Sequence, residues 1–142
     1  MRGNFIVPRV LVVDDDPLVC GAIEACLQRQ GFEITVAEGG EAGLHALETA
    51  AFDVMLVDVF MPHMRGYESI RIFHERAPTI PLIAMSGYAF AKLATPSHDV
   101  LAMTLQYGAT SSLRKPFTPS RLVAAVTECL INPSRAVELI KL

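Results

Sequence analysis

Cysteine and charge are both scarce in this chain. Three Cys occur, at 20, 26 and 129, with no C-x-x-C pair. An odd count without a framework excludes a disulfide-stapled scaffold, and reduced thiols packed as small core residues in a cytoplasmic protein are expected. Charged residues make up 19% and apolar residues 51%. That balance excludes a disordered chain, which would be apolar-poor and charge-rich. Lys and Arg number 12 against 15 Asp and Glu, for a net charge of −3. With no basic excess to neutralise a phosphate backbone, no direct nucleic-acid binding is expected. Long apolar runs are also missing. Val10-Leu11-Val12-Val13 and Val54-Met55-Leu56-Val57 each stop at an Asp, far short of the ~20 residues a membrane helix needs. Phe5-Ile6-Val7 is cut by Pro8 and Arg9, so neither a signal peptide nor membrane insertion is expected.

What is present is an alternation of strand and helix. A length of 142 residues suits one domain and buries roughly 70% of the unfolded surface. Val10-Leu11-Val12-Val13 is a β-branched run of the kind buried on both faces in a parallel sheet. Asp16-Pro17 opens a first helix as cap and first residue. Leu18, Ala22, Ala25, Cys26 and Leu27 are expected on its inward side, with Gly31 at its end. Ile34-Thr35-Val36-Ala37 reads as a second strand. After Gly39-Gly40, residues 41–49 read as a helix with Ala42, Leu44, Ala46 and Leu47 inward. Val54–Val57 is the third strand, followed by a loop and a helix over 67–76 carrying Ile70 and Phe73, which Pro78 stops. The fourth strand is Pro81-Leu82-Ile83-Ala84-Met85. A long 88–97 segment follows, then a helix over 98–107 closed by Gly108, a short strand at 111–114, and a last helix from Thr118-Pro119 to about 130. Residues 132–142 form a tail, whose Ala136, Val137 and Ile140 have helical spacing. Five strands alternating with five helices predict an α/β fold with a parallel sheet, right-handed crossovers and helices on both faces. Ligands of such sheets bind at the carboxyl ends of the strands.

The residues at those ends form a chemical set. Strand one ends in Asp14-Asp15-Asp16, strand three in Asp58 and strand four in Ser86; Lys115 directly follows strand five. Clustered carboxylates repel one another and raise each other's proton affinity unless a cation relieves them. Hard oxygens with open water positions suit Mg²⁺. An ammonium and a hydroxyl suit phosphoryl oxygens. The combination describes phosphoryl transfer onto an Asp, with the protein supplying position and charge neutralisation.

Four motifs now stand in order: Val-Leu-Val-Val-Asp-Asp-Asp-Pro (10–17), Leu-Val-Asp-Val-Phe-Met-Pro (56–62), Ala-Met-Ser-Gly (84–87) and Lys-Pro-Phe (115–117). Together they resemble the receiver domain of two-component response regulators over residues 8–131. The resemblance implies a flavodoxin-like doubly wound (βα)5 sandwich with strand order 2-1-3-4-5. It implies that Asp58 is the phosphoacceptor, with Ser86 and Lys115 contacting the phosphoryl group. Asp14, Asp15, Asp58 and the backbone carbonyl of Phe60 would hold Mg²⁺, and the Lys115–Pro116 bond would be cis. The donor would be a histidine kinase or a histidine phosphotransfer protein. With only 132–142 after the last helix, no output domain is expected, and a phosphorylation-dependent switch would act on a downstream protein the sequence does not name.

Three departures from the family pattern stand out. Arg65 precedes Gly66 where the family usually has an acid, Ser112 replaces the usual Tyr or Phe, and the stretch around 88–97 is long. Tyr88, Phe90 or Tyr107 could stand in for the missing aromatic. Phe60 and Tyr88, each two residues past a site residue, could shield an acyl phosphate from water. Two other readings are available: a haloacid dehalogenase-like phosphatase with Asp14 as nucleophile, which lacks a second acidic pair after Lys115, and a scaffold that is never phosphorylated.

Overall fold

The computed structural model describes residues 7–64, 68–87 and 103–131. The elements run β1 (Arg9–Val13), α1 (Pro17–Arg29), β2 (Glu33–Ala37), α2 (Gly40–Thr49), β3 (Val54–Asp58), α3 (Glu68–Arg76), β4 (Leu82–Ser86), helical residues 103–106 (α4), β5 (Ser111–Arg114) and α5 (Pro119–Ile131). Arg65, Gly66, Tyr67, the 88–97 segment with Tyr88 and Phe90, the first part of the helix expected at 98–107, and the 132–142 tail lie outside the described residues.

The strands form one all-parallel sheet in the order β2-β1-β3-β4-β5, the doubly wound arrangement expected from the sequence. Strand periodicity sorts its residues onto two faces. Val10, Val12, Val54, Leu56, Ile83 and Met85 pack under α1 and α5 with Cys20, Ile23, Leu27, Leu122, Val126 and Cys129. Leu11, Val13, Met55, Val57, Leu82 and Ala84 pack on the other side with Ile70 and Phe73 of α3. Residues 10–13, 54–57 and 82–85 are all completely buried, which is why their sequence is apolar without alternation. The edge strand β2 is only half-buried.

Local signals fix the helix starts. The Asp16 side chain accepts the Leu18 N–H at 2.9 Å ahead of Pro17, and Thr118 Oγ1 accepts the Arg121 N–H at 3.2 Å ahead of Pro119. The inward face of α1 differs from the expected one. Cys20, Ile23 and Leu27 are buried, whereas Leu18 is 82% exposed and Ala22 and Ala25 face solvent. The buried stripe follows the i, i+3, i+7 spacing of Cys20, Ile23 and Leu27, and the two alanines fall outside it. Ala42 of α2 is likewise exposed; Gly40 and Gly43 are the buried residues there. Gly43 packs tightly against β1 and α3: a Cβ would lie 2.8 Å from both Phe73 Cζ and Val13 Cγ2.

Two Gly→Ala substitutions should therefore act in opposite directions. Gly21, on the exposed side of α1, has nothing within 4 Å of an added Cβ, so Gly21→Ala is expected to stabilise by roughly 0.5–1 kcal/mol through helix propensity. Gly43→Ala is expected to destabilise by roughly 1–3 kcal/mol through overpacking. Urea unfolding midpoints read both; two shifts of the same sign would contradict this packing.

Candidate functional site

Register brings the acidic residues together. Val13 pairs with Val57, so Asp14 and Asp58 stand one step further along adjacent strands. By alternation they share the face of Val12 and Leu56. Neighbouring strands are ~4.8 Å apart, and ligand atoms of Asp14, Asp15 and Asp58 all lie within 4.8 Å of one another. On the other side of β3, Asp58 pairs with Met85 and Ser86 pairs with Arg114, which sets Ser86 and Lys115 at the same edge.

The two strand-end carboxylates are buried, Asp14 completely and Asp58 to 4% exposure, while Asp15 is exposed. Lys115 Nζ donates to Asp14 Oδ2 at 2.5 Å and to Asp58 Oδ1 at 3.3 Å. The Lys115 N–H donates to the Ser86 carbonyl at 2.8 Å, and the Lys115–Pro116 peptide is cis, as the resemblance implies. Asp14 also accepts the Asp16 N–H at 2.9 Å, so one carboxylate oxygen is held by its own chain and the other by the lysine. The Ser86 side chain is buried at the end of β4. The Phe60 side chain is 53% exposed, and its backbone N–H donates to the Asp58 carboxylate.

Charge is unbalanced here. One ammonium faces three carboxylates, and two like charges about 5 Å apart repel by roughly 3 kcal/mol at an effective dielectric near 20. Burial pushes the Asp58 carboxyl up from 3.8 to about 6; the Lys115 charge opposes this, and the negative charge of Asp14 adds to it. Burial works to lower the Lys115 pKa, but the hydrogen bond it donates to Asp14 and the charges of Asp58 and Asp14 outweigh it, and the net shift is upward. The donor set fits a divalent cation: hard carboxylate oxygens, two of them buried, with one exposed carboxylate at the mouth and a net negative charge to neutralise.

One contributor escaped the sequence reading. Ser69, in the first turn of α3 and completely buried, donates from Oγ toward the carbonyls of Asp58 and Val59, each at 3.2 Å. Its only sequence signal is a hydroxyl residue directly before Ile70, on the face that Ile70 and Phe73 turn to the sheet. The thiols of Cys20 and Cys129 are pushed up to about 11, in both cases chiefly by burial, and are inert core groups. Cys20 Sγ donates to the Asp14 carbonyl at 3.4 Å.

The burial of Asp58 has a testable consequence. Its folded pKa lies above its unfolded value, so the ionised form costs stability above about pH 6 and the cost vanishes below about 3.8. In the presence of chelator, Asp58→Asn is expected to stabilise the fold by roughly 1–3 kcal/mol near pH 7.5 and by clearly less near pH 4.5. Urea unfolding at the two pH values measures this; a gain independent of pH would contradict it.

Known proteins resemble this chain in sequence and fold. The family model described as the response regulator receiver domain matches residues 10–127. Among curated proteins, the sensor protein GacS of Pseudomonas syringae pv. syringae is 33% identical over 136 residues, covering 89% of this chain and 14% of GacS. The transcriptional regulatory protein ZraR of Klebsiella oxytoca is 31% identical over 123 residues, covering 87% of this chain and 26% of ZraR. The chain thus spans only a fraction of the length of these relatives. Among solved structures, a CheY-like response regulator receiver domain protein from Methanospirillum hungatei JF-1 has a TM-score of 0.79 at 27% identity, covering 92% of this chain and 99% of that one. The receiver domain of the Francisella response regulator 1452 has a TM-score of 0.74 at 28% identity, covering 87% and 96%. A family match over most of the length, on the expected sheet and with the acidic cluster at its edge, means that the chain belongs to the receiver domains of two-component response regulators, a phosphorylation-dependent signalling family.

Proposed function

We propose that Asp58 accepts a phosphoryl group from a phosphohistidine on a histidine kinase or histidine phosphotransfer protein, and that the modified domain, residues 8–131, changes its binding to a downstream protein. The observation that carries this reading is the shared grip of Lys115 on Asp14 and Asp58: the ammonium already stands beside the oxygen that would attack. In the transfer, an Asp58 carboxylate oxygen forms a bond to phosphorus. The donor N–P bond breaks, and its electron pair stays on the imidazole nitrogen. Lys115 turns toward a phosphoryl oxygen, and the Ser86 hydroxyl donates to another. Asp14, Asp15, Asp58 and the Phe60 carbonyl would hold Mg²⁺, which when bound neutralises charge developing on the phosphoryl oxygens. Asp14 and Asp15 form no bond to phosphorus. The chain catalyses its own phosphorylation and, as water attacks phosphorus and restores the carboxylate, its own dephosphorylation. The free state of all three thiols supports a cytoplasmic location, and no described helix is long and apolar enough to cross a membrane.

Added phosphate brings charge and acceptor oxygens to a buried edge already short of positive charge, and this biases the surrounding loops between two arrangements. The Phe60 side chain, exposed two residues past Asp58, shields the acyl phosphate from water.

Incubation with acetyl phosphate and Mg²⁺, followed by peptide mass spectrometry, tests the reading. One phosphoryl group is expected on Asp58, with none after chelation or in Asp58→Asn. Label on Asp14 with continuous turnover would indicate a phosphatase, and no label at all would indicate a scaffold. Phe60→Asn is expected to shorten the lifetime of the labelled form by roughly threefold or more; an unchanged lifetime would remove the shielding role.

A further inference from the structure

The peptide joining Val59 to Phe60 is held at both ends. Its carbonyl accepts from Ser69 Oγ at 3.2 Å, and its N–H, that of Phe60, donates to the Asp58 carboxylate. A planar trans peptide points these two groups in opposite directions, so fixing the carbonyl on the α3 side aims the N–H at the carboxylate. The same hydroxyl lies 3.2 Å from the Asp58 carbonyl. That carbonyl is one residue beyond Val57, where the β1–β3 pairing ends, and so beyond the reach of the ladder on that side. The opposite side of the turn is tied down by the Val59 N–H, which donates to the Met85 carbonyl at 2.8 Å. Ser69 is completely buried and belongs to α3, whose Ile70 and Phe73 are also completely buried. The hydroxyl is therefore set by the docking of a helix, not by a loose loop.

We infer that Ser69 is a positioning residue for phosphorylation, orienting the Asp58 carboxylate through the Val59–Phe60 peptide. It touches neither the phosphoryl group nor the donor. Its hydroxyl fixes the plane of one peptide, that peptide's N–H holds the Asp58 carboxylate, and Lys115 Nζ lies 3.3 Å from Oδ1 of the same carboxylate. The inference rests on Asp58 being the phosphoacceptor.

Phosphorylation rates with acetyl phosphate at saturating Mg²⁺ test it, using wild type, Ser69→Ala, Ser69→Cys and Ser69→Thr of the full chain. Cys keeps the volume of Ser while supplying only a weak donor, and Thr keeps the hydroxyl. Ala and Cys are expected to lower the maximal rate roughly tenfold or more through misorientation of the attacking oxygen. The half-saturating acetyl phosphate concentration should be unchanged, and Thr should stay near the wild-type rate. In ¹H–¹⁵N spectra, the Phe60 amide resonance should move in Ala and Cys and stay close to wild type in Thr. Should Ala fail to fold, Cys carries the comparison. Wild-type rates in Ala and Cys, or equal slowing in all three variants, would overturn the role of the hydroxyl. Absence of label on Asp58 in the wild type would instead overturn the phosphoacceptor reading on which it rests.

Discussion

The burial of two neighbouring carboxylates, Asp14 and Asp58, is the constraint on which the chemistry of the site depends. Parallel pairing of β1 with β3 places them side by side, and burial removes the water that would screen them. Lys115 offsets part of that charge from a third strand end, at 2.5 and 3.3 Å. What remains is negative, which suits the cluster to a divalent cation, and the Asp58 carboxyl is pushed up to about 6 chiefly by its burial. The site is an arrangement of charges left unbalanced by the fold, and in the proposed reading a cation and a phosphoryl group complete it.

That imbalance needs a rigid frame, because carboxylates free to move would separate. The frame is the pair of apolar layers on either face of the sheet, with residues 10–13, 54–57 and 82–85 excluded from water. Helix α3 contributes twice, with Ile70 and Phe73 in the core and Ser69 at the strand end. Burying its apolar face and bringing one hydroxyl proton to the two neighbouring carbonyls of Asp58 and Val59 are one event, so the position of the turn after Asp58 depends on helix docking.

Much of this was legible in the sequence. Unbroken apolar runs that stop at Asp14 and Asp58 announced strands buried on both faces with polar ends, and Asp16-Pro17 and Thr118-Pro119 announced helix starts. The sheet and the convergence of Asp14, Asp15, Asp58, Ser86 and Lys115 followed from those signals. The inward face of α1 did not: small residues such as Ala22 and Ala25 score as apolar wherever they lie, and only packing shows that Cys20, Ile23 and Leu27 form the buried stripe. The role of Ser69 was hidden for a similar reason. A serine in a helix is ordinarily a surface residue, and the acceptors that give it a purpose are ten and eleven residues away in sequence.

A titration of the full chain with Mg²⁺, followed by ¹H–¹⁵N spectra, tests most directly whether the carboxylate cluster is a cation site. Saturable shifts centred on the amides of Asp14, Asp15, Asp58 and Phe60, and lost in Asp15→Asn, are the expected result. Linear, unsaturated drift, or saturable shifts confined to other acidic groups such as Glu68 and Glu75, would contradict it.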